Sequence, residues 1–247
     1  MLEIEALSKS FGGLHAVREL SFTSVTGGVT SIIGPNGAGK STLFNLVTGA
    51  IRPDSGRVRL DGTDITGLPT PRLAALGLAR SFQITNLFNR LTVRENVRVA
   101  LQARESRRSF LAPLRRCKGL VTRADAILEE FGLLPYATEP ARTLSHGDQR
   151  RLEIAVCMAC DPRVLLLDEP TQGMSPSETR ATEILVKNLA GRVTIVLIEH
   201  DIDLVMGMSD RIVVMHQGTK LAEGRPEEVR TNRAVQDAYL GTSHELA

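Results

Sequence analysis

The short apolar run Ser31-Ile32-Ile33 passes directly into Gly34-Pro35-Asn36-Gly37-Ala38-Gly39-Lys40-Ser41-Thr42, and a helix-forming stretch follows. No other feature restricts the fold so strongly. A loop of the form G-x-x-x-x-G-K-[ST] works only between a buried strand and the first turn of a helix. Its glycines let backbone N–H groups turn inward around phosphate oxygens without side-chain collisions, and the helix N-terminus adds its dipole. Lys40 brings a point charge to the β- and γ-phosphates, and Ser41 offers a hydroxyl to Mg²⁺. Residues Gly34 to Thr42, with Asn36, Gly37, Ala38 and Gly39 inside the turn, are therefore predicted to hold the phosphates of a nucleotide in an α/β fold.

The rest of the chain carries matching signals. Residues 2–8 and 29–34 alternate or run apolar and predict strands. A helix is predicted over 40–49, stopping at Gly49, and a short strand over 56–62. Thr92 with Glu95 forms a capping box that opens a helix; Thr122 opens another, ending near Gly132, and Ser145 a third. Residues 164–170 form a continuous apolar run closed by two acids and a proline, as in a buried parallel strand. Ser175-Pro176-Ser177-Glu178 starts a helix that ends at Gly191. A further buried strand is predicted over 193–201, two strands around a Gly turn over 210–224, and a closing helix over 233–241. Strands thus alternate with helices in the first 80 residues and again after 160, with a helical stretch between. The expectation is an α/β core from residues 1–85 and 159–222, a helical insertion over 86–158, and a tail over 223–247.

With 247 residues and 42% hydrophobic composition the chain can build a full core. A net charge of +2 gives no general attraction to nucleic acid or anionic membranes. No run of eighteen apolar residues is present, and the N-terminus lacks the pattern of a signal peptide. Three cysteines suggest a reducing compartment. Cys157 and Cys160 lie in an apolar helical stretch with no second pair to complete a metal site, so they read as core packing.

Asp168 and Glu169 end the strand over 164–168, and an open α/β sheet binds ligands at the carboxyl ends of its strands. With a phosphate loop nearby, Asp168 is placed to hold Mg²⁺ and Glu169 to orient and deprotonate an attacking water. Neighbouring strand side chains point to opposite faces, which would keep the two acids in separate roles. Gln83 lies where the core gives way to the helical segment. Its amide can touch Mg²⁺ or water, although alone it reads as a surface glutamine. His200 ends a strand and can donate to a γ-phosphate, or serve only in the structure.

The stretch Leu144-Ser145-His146-Gly147-Asp148 poses a separate problem. It is a second Ser/Gly turn opening a second helix, a design suited to anions. On local chemistry alone Ser145 reads as an ordinary N-cap with Asp148 in the first turn, an acid that partly opposes an incoming phosphate. The ordered set formed by the phosphate loop, Gln83, this turn, Asp168-Glu169 and Glu199-His200 resembles the ATP-binding cassette ATPases over residues 2 to about 224. That resemblance implies a P-loop NTPase core of the ABC ATPase type with an inserted α-helical subdomain. It implies ATP and Mg²⁺ as cofactors and a second ABC ATPase subunit packed head-to-tail. Ser145 and Gly147 then complete the partner's nucleotide site in trans. Phe11 matches the aromatic that stacks on adenine. The usual turn is L-S-G-G-Q; here His146 and Asp148 replace Gly and Gln, and Met174-Ser175 stands where the family often has an Asp.

Finer features are similar to the ATPases of branched-chain amino-acid importers: residues 81–97, 144–155, 168–179 and, above all, the tail over 223–241. The resemblance implies a peripheral protein on the cytoplasmic face of a bacterial inner membrane. Its partners would be two permease subunits and, indirectly, a periplasmic substrate-binding protein. Related importers serve urea, amides and aromatic acids. A lipopolysaccharide-export ATPase and a soluble cassette ATPase acting on nucleic acid are the other readings. Between Arg94 and Arg123 nine basic residues face only Glu95 and Glu105. Phe110 is the one aromatic among them, so a surface facing membrane or permease is expected rather than a nucleic-acid site.

Overall fold

The computed structural model describes residues 1–81, 87–108 and 119–240; Gln83 lies outside them. Two sheets form. The larger has the order β10 (Thr219–Gly224), β9 (Arg211–His216), β3 (Val29–Ile33), β8 (Thr194–Ile198), β7 (Val164–Asp168), β6 (Leu78–Arg80). All its pairings are parallel except the β9–β10 hairpin. Strands β3, β7 and β8 are buried at every residue, the pattern of strands covered on both faces.

The second sheet was not foreseen. β1 (Leu2–Phe11), β2 (Leu14–Thr23), β4 (Ser55–Leu60) and β5 (Thr63–Asp64) pair antiparallel in the order β2-β1-β4-β5. The first 80 residues therefore do not simply alternate strand and helix. β1 buries Leu2, Ile4 and Leu7 and leaves most intervening residues wetter, as suits a sheet with one solvated face. β2 gave no readable period because the ladder carries register shifts, with left-handed backbone at Ala6 (φ 43°) and Glu19 (φ 48°). Bulges of this kind break the two-residue alternation.

Strand alternation divides the interior. Leu165, Leu167, Ile195 and Leu197 face helices α3 (Val93–Arg108), α4 (Leu120–Glu130) and α5 (His146–Ala159) in one apolar cluster. Val164, Leu166, Val196 and Ile198 face α1 (Lys40–Val47) and the antiparallel sheet in another. A third, smaller cluster joins Ile33, Ile212 and Val214 to α7 (Ile202–Met208), α8 (Pro226–Arg230) and α9 (Arg233–Leu240) through Val205, Val229 and Val235. The described part of the tail thus packs on the main sheet. Tyr239 of α9 reaches the backbone of Gly34, and burial pushes its hydroxyl up to about 12.

Both capping boxes form. Thr92 N–H donates to Glu95 Oε2 at 2.8 Å and Glu95 N–H returns to Thr92 Oγ1 at 3.2 Å; Ser175 and Glu178 do the same at the start of α6 (Pro176–Leu189). Helix α4 begins at Leu120, not Thr122, because Gly119 (φ 97°) turns the chain into it. Helices α2 (Thr70–Leu76), α7 and α8 and strand β6 escaped the pattern reading because each spans seven residues or fewer, too few to show a period. Among the described residues no helix is long and apolar enough to cross a membrane.

Candidate nucleotide-binding site

The loop after β3 closes back on the core so tightly that only glycine fits. Gly39 caps α1 with φ 98°, and a Cβ there would lie 2.2 Å from the carbonyl oxygen of Ala16. A Cβ on Gly34 would lie 2.2 Å from that of Met215. The backbone is thus held at Gly34 and Gly39 by close contacts with the carbonyls behind it. Gly39→Ala adds both a left-handed strain of about 1–2 kcal/mol and a backbone collision. It is expected to weaken ATP binding at least about tenfold, measurable by titration with a fluorescent ATP analogue.

Lys40 is buried, and its ammonium donates to the carbonyls of Gly34 (2.6 Å) and Pro35 (3.1 Å). Burial lowers its pKa, while the charges of Glu169 and Asp168 raise it. The loop borders an open cavity of about 710 Å³ whose walls include residues 36–42, Phe11, His15, Glu169 and Gln217. Phe11 stands exposed at the end of β1, with Lys9 Nζ 5.7 Å above its ring. The volume and the flat aromatic wall suit a nucleotide. His15 and Gln217 carried no signal in the sequence; the folds of β1–β2 and β9–β10 bring them here.

Asp168 and Glu169 are separated, but not by strand alternation. β7 ends at Asp168, and Glu169 adopts left-handed backbone (φ 46°). That turn, rather than the pleat, directs Glu169 to the cavity. Asp168 is buried, and its Oδ2 accepts from Arg80 Nη2 at 2.7 Å. Arg80 also donates to Asn45 Oδ1 (2.8 Å) and Thr48 Oγ1 (3.2 Å), and stacks over Phe44. Asp168 and His200, whose side chain is 59% exposed, are not among the cavity walls.

The second turn lies elsewhere. Ser145 caps α5, accepting from Asp148 N–H at 3.1 Å and donating to Asp148 Oδ2 at 2.9 Å. His146 Nε2 lies 3.2 Å from the carbonyl of Gln172. Glu178 sits against Gly147, close enough that a Cβ there would lie 2.4 Å from its Oε1. Ser175's hydroxyl and N–H, with help from Gly147 N–H, hold the Glu178 carboxyl below its usual range. Neither Ser145 nor Gly147 borders the phosphate-loop cavity. Asp148, at the fifth position of the turn, also bonds Arg151.

Cys157 donates to the carbonyl of Arg80 at 3.6 Å, and burial pushes its thiol up to about 12. With almost no thiolate present, Cys157 is expected to resist iodoacetamide at pH 8. Mass mapping after alkylation of the folded chain tests this. Of the basic residues between 94 and 123, Arg94 pairs with Asp125, Arg104 with Asp161 and Arg123 with Glu105. Among the described residues, three of the nine are thus paired within the chain.

A glycine loop between β3 and α1, a lysine in its first helical position and two acids at a strand end define a P-loop nucleotide hydrolase. Residues 17–172 match the ABC transporter family, and residues 219–245 match the branched-chain amino acid ATP-binding cassette transporter family. The chain belongs to the ATP-binding cassette transporter family and is an ATPase of that family. It is 46% identical over 250 residues to the high-affinity branched-chain amino acid transport ATP-binding protein BraF of Pseudomonas aeruginosa, covering 98% of each chain. It is 45% identical over 249 residues to LivG of Salmonella typhimurium, also covering 98% of each. Among solved structures it is similar to the ADP conformation of an ATP-binding cassette of an ABC transporter, at 31% identity and TM-score 0.86, covering 98% of both chains. It is also similar to a dimeric cassette in a post-hydrolysis state bound to ADP and Pi, at 26% identity and TM-score 0.77, covering 92% of this chain and 99% of that one.

Proposed function

We propose that the chain is the ATP-hydrolysing subunit of a bacterial inner-membrane importer for branched-chain or other hydrophobic amino acids. The single observation that carries this is the tail: residues 219–245 match the branched-chain amino-acid cassette family, and their described part packs through Val229 and Val235 on the sheet that bears the phosphate loop. BraF and LivG, similar over nearly the whole chain, are named for branched-chain amino acid transport.

The amides of Gly37, Ala38, Gly39, Lys40, Ser41 and Thr42, with Asn36 at the rim, cradle the phosphates, and Phe11 supports the adenine. Lys40 leaves the carbonyls of Gly34 and Pro35 for the β- and γ-phosphates. Mg²⁺, when bound, neutralises charge on the transferring phosphoryl group. A hydroxyl, a carboxylate and an amide oxygen are hard donors that suit it, and Ser41, Asp168 and Gln83 supply them. Asp168 would use the oxygen that Arg80 does not engage. Glu169 accepts the proton of the attacking water, and His200 donates to the γ-phosphate.

Ser145 and Gly147 lie away from this chain's own cavity, which supports their use on a partner's nucleotide in a head-to-tail dimer. Residues 1–85 and 159–222 then serve as the nucleotide-binding core, residues 86–158 as the permease-facing subdomain and residues 223–247 as the tail. Between α2, β6 and the end of α5 lies an apolar cavity of about 230 Å³ lined by Leu73, Leu78, Val156 and Cys157. It gives a permease segment a place to seat.

Tagged chain extracted from its own membranes in mild detergent is expected to bring down a second cassette ATPase and two permeases. ATPase activity of that complex should rise when a leucine-loaded periplasmic binding protein is added. Recovery with a lipid-bridge protein, or stimulation only by an amide- or aromatic-acid-loaded binding protein, would overturn the assignment of cargo.

A further inference from the structure

We propose that Glu199 is a positioning residue for ATP hydrolysis, a buried brace that fixes the turn carrying Glu169 against the strand end carrying His200. Its side chain is 0% exposed. Oε1 accepts from the N–H of Thr171 at 3.1 Å and from its hydroxyl at 2.7 Å. Oε2 accepts from the N–H of His200 at 3.3 Å and lies 3.8 Å from His200 Nδ1. One residue earlier, the carbonyl of Ile198 accepts from the N–H of Glu169 at 3.0 Å. The segments 169–171 and 198–200 are thereby laced together at both ends.

A carboxylate at such a depth is unfavourable unless its oxygens are bonded, and burial raises the pKa of Glu199 while Thr171 lowers it. Three donors from two separate segments meet that need, so the group binds the segments to each other rather than stiffening one of them. What the brace holds is a strained residue. Glu169 has left-handed backbone (φ 46°) without being glycine, a conformation that persists only where the surroundings over-determine it. The Ile198 carbonyl grips Glu169 at its N–H, and Glu199 grips the chain two residues later. Released at Thr171, Glu169 can relax toward an ordinary conformation, and its carboxylate leaves the cavity wall it now forms. None of these hydrogen bonds of Glu199 goes to the phosphate loop between β3 and α1. Loss of the brace therefore acts on turnover and spares nucleotide binding.

The inference rests on the proposed role of Glu169 as the hydrolytic carboxylate, so Glu169→Gln is measured alongside. In the full chain, Glu199→Ala is expected to lower kcat for ATP about 10–100-fold, with the Kd for ATP changed by less than about twofold. Glu199→Gln keeps an oxygen for Thr171 and is expected to recover kcat to within about fivefold. Thr171→Val removes the hydroxyl donor at constant size and is expected to lower kcat about fivefold. Combined with Glu199→Ala it should cost nothing further. If Glu199→Ala does not fold, the Glu199→Gln and Thr171→Val pair carries the test. A normal kcat in Glu199→Ala or, failing that, in Thr171→Val overturns the brace, as does a parallel loss of kcat and ATP affinity without rescue by Gln. Glu169→Gln at full turnover removes the role of Glu169 and the brace with it. An inactive Glu169→Gln beside a normal Glu199→Ala removes the brace alone.

Discussion

Replacing Glu169 with Gln is expected to cut ATP turnover by about 10²–10⁴-fold while leaving ATP binding intact or tighter. Glu169 shares the cavity with the phosphate loop, and its charge acts on Lys40. Glutamine preserves the size of the side chain and its capacity to orient a water, but it cannot accept the proton that the water must lose. The phosphate contacts come from backbone amides and Lys40, which the substitution does not touch. It also deletes a negative charge beside an incoming polyanion, and that favours binding. Phosphate release in single turnover, paired with an equilibrium titration of ATP, separates the two effects. Ordinary turnover by the variant would rule out Glu169 as the base.

Arg150→Leu is expected to destabilise the fold by about 3–5 kcal/mol, which lowers the melting temperature by roughly 6–20 °C for a chain of this size. Arg150 is 5% exposed. It pairs with buried Glu153 one turn on, at 2.7 Å, and donates to the carbonyl of Asp168 at the end of β7. Removing the guanidinium withdraws a cation from a buried carboxylate and unties α5 from the strand that carries Asp168. Removing both members of a buried pair is far less costly than removing one. Arg150→Leu/Glu153→Leu should therefore melt closer to the parent than Arg150→Leu does. Calorimetry of the three chains checks this; a single variant that melts within about 2 °C of the parent would show that the pair bears little load.

Much of the site was legible in advance because its signals are local. A glycine loop must follow a strand and open a helix, so its nine residues announced both the ligand and the fold class. The Thr92–Glu95 and Ser175–Glu178 boxes were legible for the same reason: three residues of separation decide them. Asp168 and Glu169 were also found, but the means of separating them was not. A left-handed residue at 169 leaves no trace in the pattern of apolar and polar side chains. Arg80 carried no signal and Glu199 entered only as a neighbour of His200, because each acquires its partner from another part of the chain. The antiparallel sheet was hidden by bulges that blur the period of β2.

What the chain determines by itself is everything that depends on neighbours within one turn or one strand: a phosphate loop, helix starts, buried strands, and a family tail over residues 219–245. Tertiary structure alone decides which of these meet. It places Phe11, His15 and Glu169 around one cavity, keeps Ser145 and Gly147 away from it, and sets Arg80 on Asp168 and Glu199 on Thr171. The reason is physical. Charges and polar atoms buried far apart in sequence find one another only when the sheet order brings strand ends together, and strand order is not written in any single stretch of residues.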